Sequence, residues 1–189
     1  VALPRSYGRL SVMTESSGFS MSSGLEVGAL LRLFAASKPG GRFLELGTGT
    51  GLATAFLLDG MDAAARLVSV DADASCQAIA REGLGDDARV RFECEDAAVF
   101  ITGQEARSFD LVFADAWPGK FSHLDETLDL ITPGGLYVVD DLRPHPSWPL
   151  DHHAKVASLL ASLEVKSDWG TVYLDTGTGL MIAVRNGQA

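Results

Sequence analysis

Short apolar runs alternate with helical patterns through five repeats of this chain, and a hairpin closes it. "RFLEL", "RLVSV", "RVRFECE", "FDLVFAD" and "LYVVDD" read as strands. "FDLVFAD" is continuously apolar, as expected of a strand covered on both faces. "LATAFLLDGM", "DASCQAIAREGL", "AAVFI", "HLDETLDLI" and "HHAKVASLLASLE" read as helices; the last sets Val156, Leu159, Leu160 and Leu163 on one face. "LEVGALLRLFAAS" is a further helix, stopped by "KPGG". Asp73 is expected to open one helix and Gly83 to end it; "TPGG" is expected to stop another before "LYVVDD" begins. The first twenty-odd residues read as an irregular or partly helical lead-in. "WGTVYLDTGTGLMIAVR" reads as two strands joined at Asp175–Gly179. The pattern predicts an α/β fold: a doubly wound, mostly parallel seven-stranded sheet with helices on both faces and a C-terminal antiparallel hairpin. No linker, repeat or low-complexity run divides the 189 residues, so residues 1–189 read as one domain with residues 1–23 as its lead-in.

Charge narrows the partners. Fifteen basic residues stand against twenty-five acidic ones, a net charge of −10. Nucleic-acid binding needs positive charge facing phosphates, so none is expected. No run approaches the roughly 18 apolar residues of a membrane span, and no basic region followed by an apolar core suggests a signal peptide. No membrane partner and a cytoplasmic location are therefore expected. Cys76 and Cys94 show neither CxxC spacing nor clustered histidines and read as reduced, structural thiols.

The first strand runs into "LELGTGTG", with Gly47, Gly49 and Gly51 ahead of a helix. Such a turn points backbone N–H groups and a positive helix end at the crevice above the strands. The spacing is G-x-G-x-G. The dinucleotide fingerprint needs a third glycine where Leu52 stands, and no Gly-Lys-Ser/Thr follows as in a P-loop. Glu45 would repel a pyrophosphate but suits a ligand bearing an ammonium and a sulfonium. Asp71 ends the second strand 24 residues past Gly47, about where an acidic side chain takes the hydroxyls of a ribose. In "EDA", Asp96 is placed to accept from an adenine amino group.

"LELGTGTG", "VDAD" and "CEDA" together resemble the cofactor motifs of class I S-adenosylmethionine-dependent methyltransferases, over roughly Ser20 to Arg185. The resemblance implies a Rossmann-like methyltransferase fold with the glycine loop (Gly47, Thr48, Gly49, Gly51) against the methionine part of the cofactor. It implies ribose at Asp71, next to Ala72, and adenine near Asp96 and Ala97. "MSSGLEVGALL" resembles the family's amino-terminal cofactor lid, with Met21 and Ser23 as contacts.

Asp115 ends the fourth strand in "FADAWPGKF", and Asp140 and Asp141 end the fifth in "VVDDL". Parallel strands bring all three to one sheet edge, beside the expected cofactor. Clustered carboxylates share a proton or bind a cation, and hard oxygen ligands suit Mg²⁺ or Ca²⁺. A divalent ion would hold a hydroxyl substrate and lower its pKa. The arrangement resembles the small O-methyltransferases of the catechol and caffeoyl-CoA type, whose metal site is an Asp after the fourth strand and an Asp-Asn pair after the fifth. Asp115 and Asp140 match the aspartates, and Asp141 stands where the family has Asn. The family's lysine is often three residues past the first Asp; here Lys120, five residues on behind "WPG", is the candidate base.

Trp117 is a candidate to pack against cofactor or acceptor. His145, in "LRPHPSWP" just beyond the aspartate pair, is a candidate to reach the acceptor. His152 and His153 open a helix side by side and are expected to be solvated, and His123 is expected at a helix start. The prolines and Trp148 of that loop suggest a stiff, partly apolar wall for the acceptor.

These residues point to an S-adenosylmethionine-dependent O-methyltransferase acting on a small hydroxylated, apolar or aromatic molecule with a divalent metal. The alternatives are a metal-independent N- or C-methyltransferase of the same fold, or a non-catalytic cofactor-binding assembly protein. For the latter, apolar residues of the lead-in and around Trp148 would form a homodimer contact. A nicotinamide oxidoreductase ranks last, on the missing glycine.

Overall fold

The apolar runs form seven strands of one sheet in a computed structural model that describes residues 1–144 and 148–187. The parallel strands are β1 (Arg42–Leu46), β2 (Arg66–Asp71), β3 (Val90–Cys94), β4 (Phe109–Ala114) and β5 (Ile131–Val139). The hairpin of β6 (Trp169–Leu174) and β7 (Leu180–Arg185) completes the order β3-β2-β1-β4-β5-β7-β6, with β7 antiparallel to both neighbours.

Successive side chains of a strand point to opposite faces, and here both faces are covered. Phe43, Leu67, Leu111 and Phe113 pack on one side with α1 (Tyr7–Ser17), α2 (Leu25–Ala36), α3 (Leu52–Gly60) and α4 (Ala74–Leu84). Leu44, Leu46, Val112 and Tyr137 pack on the other with α5 (Ala97–Thr102), α6 (Leu124–Asp129) and α7 (His152–Glu164). Leu46 and Ala114 are register partners where the strand order reverses. The connections leaving β1 and β4 diverge to opposite faces there, which opens a crevice at the strands' C-terminal edge. Among the described residues, no helix is long and apolar enough to cross a membrane.

The structure departs from the sequence reading in three places. The lead-in holds α1, ended by Gly18 in the left-handed conformation (φ 74°). Only Leu10 and Thr14 of that helix are buried, too few to leave an apolar period. Second, α4 runs through Gly83 to Leu84, and Gly85 follows as its cap. Gly83 is there for space: a Cβ would lie 2.4 Å from Cδ2 of Leu10. Third, β5 begins at Ile131 and includes "TPGG", with a register shift between Phe109 and Leu111 that absorbs the irregular stretch.

The contact between α2 and α3 depends on Gly28. A Cβ there would meet three atoms of the buried Phe56 ring at 2.4, 2.6 and 2.8 Å. Helix propensity alone favours alanine by about 1 kcal/mol, but overpacking against a rigid ring costs about 1–3 kcal/mol. Gly28→Ala should therefore lower the thermal midpoint by a few degrees in calorimetry. A raised midpoint would show that the α2–α3 gap can open without cost.

Candidate active site

The glycine loop leaves β1 with Gly47, Gly49 and Gly51 all at positive φ (101°, 51° and 90°). Close approach adds a second constraint: a Cβ on Gly47 would lie 2.9 Å from the Asp115 carbonyl oxygen, and one on Gly51 2.8 Å from Cβ of Ala80. Four of the loop's amides are already committed. Gly47 and Thr48 N–H donate to Val70 O, Gly51 N–H to Thr48 O, and Gly49 N–H to Asp71 Oδ2 at 2.7 Å. The sequence suggested a loop offering N–H donors; what it presents at these positions is a closely approachable, Cβ-poor surface.

Beneath the loop lies a chain of buried hydrogen bonds running one way. Gln77 Nε2 donates to Thr48 Oγ1 (3.2 Å), whose hydroxyl meets Ser69 Oγ (2.7 Å), and Ser69 donates to Glu45 Oε2 (2.5 Å). Thr54 Oγ1 donates to the same oxygen at 2.5 Å, while Glu45 Oε1 has no partner. Burial drives the Glu45 carboxyl up from 4.5 to about 7, against the pull of the Ser69 and Thr54 hydrogen bonds and with a smaller push from Asp71. Glu45 was expected to face the cofactor. It is instead fully buried and outside the cleft wall, because it projects under the loop toward α3 and β2. Gly51 also lies outside that wall, packed on α4.

The crevice above is a cleft of about 560 Å³. Met21, Ser23, Gly47, Thr48, Gly49, Asp71, Ala72, Asp96, Ala97, Asp115, Trp117, Lys120 and Asp141, all singled out from sequence, line it. Asp71 Oδ1 accepts from Asp73 N–H (2.8 Å), which leaves each carboxylate oxygen a free lone pair. Asp96 caps α5 by accepting from Ala98 N–H at 2.7 Å. The lead-in closes one side: Phe19 lies over Gly49, and Ser23 Oγ donates to Asp115 Oδ2 at 3.0 Å.

Carboxylate oxygens of Asp115, Asp140 and Asp141 come within 4.8 Å of one another. Asp140 is buried behind the cleft wall, and its Oδ1 accepts from Thr178 Oγ1 (2.6 Å) and Asp141 N–H (2.8 Å). Asp141 adopts φ 63°, a left-handed conformation that Asp and Asn tolerate best among side chains larger than glycine. Burial pushes the Asp115 carboxyl well above the usual range; Asp141 and Asp140 add to this, and Lys120 and the Ser23 hydrogen bond oppose it. Burial likewise raises Asp140, against the Thr178 and Asp141 hydrogen bonds.

Lys120 reaches this cluster despite its longer spacing. Residues 117–121 fold back on Trp117 O, and the buried Tyr137 hydroxyl fixes Gly119 O at 2.6 Å. Lys120 Nζ donates to the Asp140 carbonyl at 2.8 Å and lies 3.9 Å from Asp141 Oδ2.

His145 lies outside the described residues. His152, expected to be solvated, is 5% exposed and lines the cleft. Phe121 and Trp148 enclose its ring, so adjacency to His153 in sequence was a poor guide. His123 takes the expected place before a helix, as the residue preceding α6. Sequence reasoning also missed Phe19, Thr54, Ser69, Gln77 and Thr178. Ser69 was open to discovery, since parallel pairing sets it beside Glu45; Thr54, Gln77 and Thr178 carried no local signal.

A family model described as a methyltransferase domain matches residues 44–142. A protein of Mycolicibacterium vanbaalenii named as a candidate O-methyltransferase is 31% identical over 170 residues, 85% of this chain and 75% of its own. A counterpart from Mycolicibacterium smegmatis is 34% identical over 170 residues, 85% of this chain and 81% of its own. The fold matches the O-methyltransferase TomG of Streptomyces achromogenes, which is involved in tomaymycin synthesis and was solved with S-adenosylmethionine. That match has a TM-score of 0.85 and 24% identity, over 99% of this chain and 92% of the other. A Bacillus cereus O-methyltransferase solved with S-adenosylhomocysteine matches at TM-score 0.84 and 18% identity, over 98% of this chain and 93% of the other.

The Glu45 carboxyl makes stability depend on pH. Its value is raised on folding from 4.5 to about 7. Its contribution is thus fully present below the lower value and lost as pH rises through the upper one. Glu45→Gln keeps an oxygen for the two hydroxyls and cannot ionise. Relative to wild type it should gain stability between about pH 4.5 and 7, by roughly 3 kcal/mol across the window. Urea midpoints of the two proteins against pH test this; parallel curves would show that Glu45 does not titrate there.

Proposed function

The chain belongs to the class I S-adenosylmethionine-dependent O-methyltransferases, and on that premise we propose that it methylates a hydroxyl of a small, flat molecule held at the carboxylate end of the cleft. The observation that carries this reading is one continuous cleft lined by the glycine loop, Asp71 and Asp96 together with Asp115, Asp141 and Lys120. The cofactor supplies a methyl group on a positively charged sulfur, for in-line attack by an oxygen. Asp71 would take the ribose hydroxyls on its remaining lone pairs, with Asp96 beside the adenine. Met21 and Ser23 would cover the methionine part. Positioning of this kind provides much of the rate of a bimolecular transfer.

The acceptor hydroxyl must lose its proton. The Lys120 ammonium, held against the Asp140 carbonyl and Asp141, would stabilise the resulting oxyanion by charge. Asp141 and Asp115 are the carboxylates that line the cleft and can receive the proton.

A divalent cation fits the same residues. Three carboxyl groups converge beside one ammonium, and the donors they offer are hard oxygens. Asp115, Asp140 and Asp141 would hold the ion, and it would supply a lowered hydroxyl pKa and orientation of the acceptor. Asp140 is already oriented for this by Thr178. Asp141 in place of the family's Asn adds charge and favours tighter binding.

Calorimetry with S-adenosylhomocysteine should give saturable binding, and no binding at millimolar ligand to the folded protein would overturn the proposal. A Mg²⁺ titration of the same complex should release heat in wild type, and Asp140→Ala should abolish it. Chelator-treated enzyme should lose turnover and regain it with Mg²⁺. Turnover unchanged by chelator, by Asp140→Ala and by Asp141→Ala would leave those two aspartates structural and favour a metal-independent nitrogen or carbon acceptor.

A further inference from the structure

We propose that His152 is a specificity-determining residue that hydrogen-bonds a second polar group of the acceptor, away from the hydroxyl facing the carboxylates. The inference rests on the acceptor site just described. His152 opens the 13-residue α7, and its ring lies 5.2 Å from Phe121 at 89° and 4.0 Å from Trp148 at 48°. Trp117 extends this wall, edge-on to Phe121 at 5.8 Å, with Lys155 Nζ 4.4 Å from its ring centre. Trp117, Trp148, Pro118 and Pro149 line the cleft with His152, so an aromatic, stiff surface borders the carboxylate end.

A position between aromatic rings is ordinarily filled by another hydrocarbon ring. Phenylalanine would pack there without desolvating any polar atom. The imidazole is held below the ordinary histidine range, first by burial and then by the Lys120 ammonium, with Asp141 and Asp151 opposing. It is therefore neutral near pH 7 and carries one donor and one acceptor nitrogen. Among the described residues neither nitrogen has a hydrogen-bond partner. Polar groups in such walls are satisfied by water or by ligand. What histidine adds at this place is a hydrogen-bonding capacity toward the cleft that the packing does not need. Lys120 and Asp141 line the same cleft, so a planar acceptor can present its hydroxyl to them and a second polar group to His152.

Two catechol probes separate the roles: 3,4-dihydroxybenzamide and 4-methylcatechol, which differ in a hydrogen-bonding group opposite the hydroxyls. Titrated into the complex with S-adenosylhomocysteine, the amide should bind wild type about 3–10-fold tighter than the methyl compound. His152→Phe and His152→Leu should erase that ratio, and His152→Gln should retain part of it. S-adenosylhomocysteine affinity should stay within about twofold in all variants. A wild-type ratio near one, or an equal ratio in wild type and both apolar variants with cofactor-product binding intact, would overturn the inference. Failure of wild type to bind S-adenosylhomocysteine would instead overturn the acceptor site itself, and this proposal with it.

Discussion

A single carboxyl group, sealed beneath the glycine loop, organises that side of the cleft. Glu45 receives two hydroxyls on one oxygen and nothing on the other. Burying such a group is costly unless its partners are well placed. Those partners come from α3, β2 and, through Thr48 and Gln77, from the loop and α4. The direction of each donor is set by the next acceptor, so the chain of bonds has one consistent arrangement. Gln77 also donates to the Glu93 carbonyl at the end of β3, which extends the arrangement to the edge of the sheet. The loop above is shaped from below as much as by its own glycines.

The carboxylate half follows a different logic. Three acidic side chains converge where strand ends meet, and neutral donors rather than cations fix two of them. Ser23 holds Asp115 and Thr178 holds Asp140. Hydroxyl donors orient a carboxylate without cancelling its charge, so the cluster keeps its attraction for a cation. The one ammonium among them, Lys120, spends a donor on a backbone carbonyl and stays at the longer distance of 3.9 Å from Asp141. A chain of net charge −10 thus gathers acidic groups at one point of the cleft, where positive charge finds favourable potential.

The fold and the strand-end residues were legible in the sequence because strand ends are. An apolar run that finishes in Asp71, Asp115 or Asp140 fixes both the element and the edge on which the carboxyl stands. Glycine spacing and the absence of a third glycine at Leu52 ranked a dinucleotide last for a reason visible in the letters alone. Lys120 was harder to read, since its reach depends on a turn tied down by Tyr137, eighteen residues from Gly119. His152 was misread because two adjacent histidines at a helix start look solvated unless Phe121 and Trp148 are known to cover one. Glu45 was placed by charge toward the ligand, whereas its neighbours in space draw it under the loop. Gly83 looked like a stop signal and is a socket for Leu10.

The hydroxyls that fix the carboxylates come from opposite ends of the chain. Ser23 is 92 residues from Asp115 and Thr178 is 38 residues from Asp140, the latter across the closing hairpin. A chain made from its amino terminus presents the glycine loop, Asp71 and Asp96 well before the turn carrying Thr178 has been synthesised. The parallel strands are therefore all made while Asp140 is still unanchored, and the full arrangement of the carboxylate cluster is among the last features the nascent chain completes.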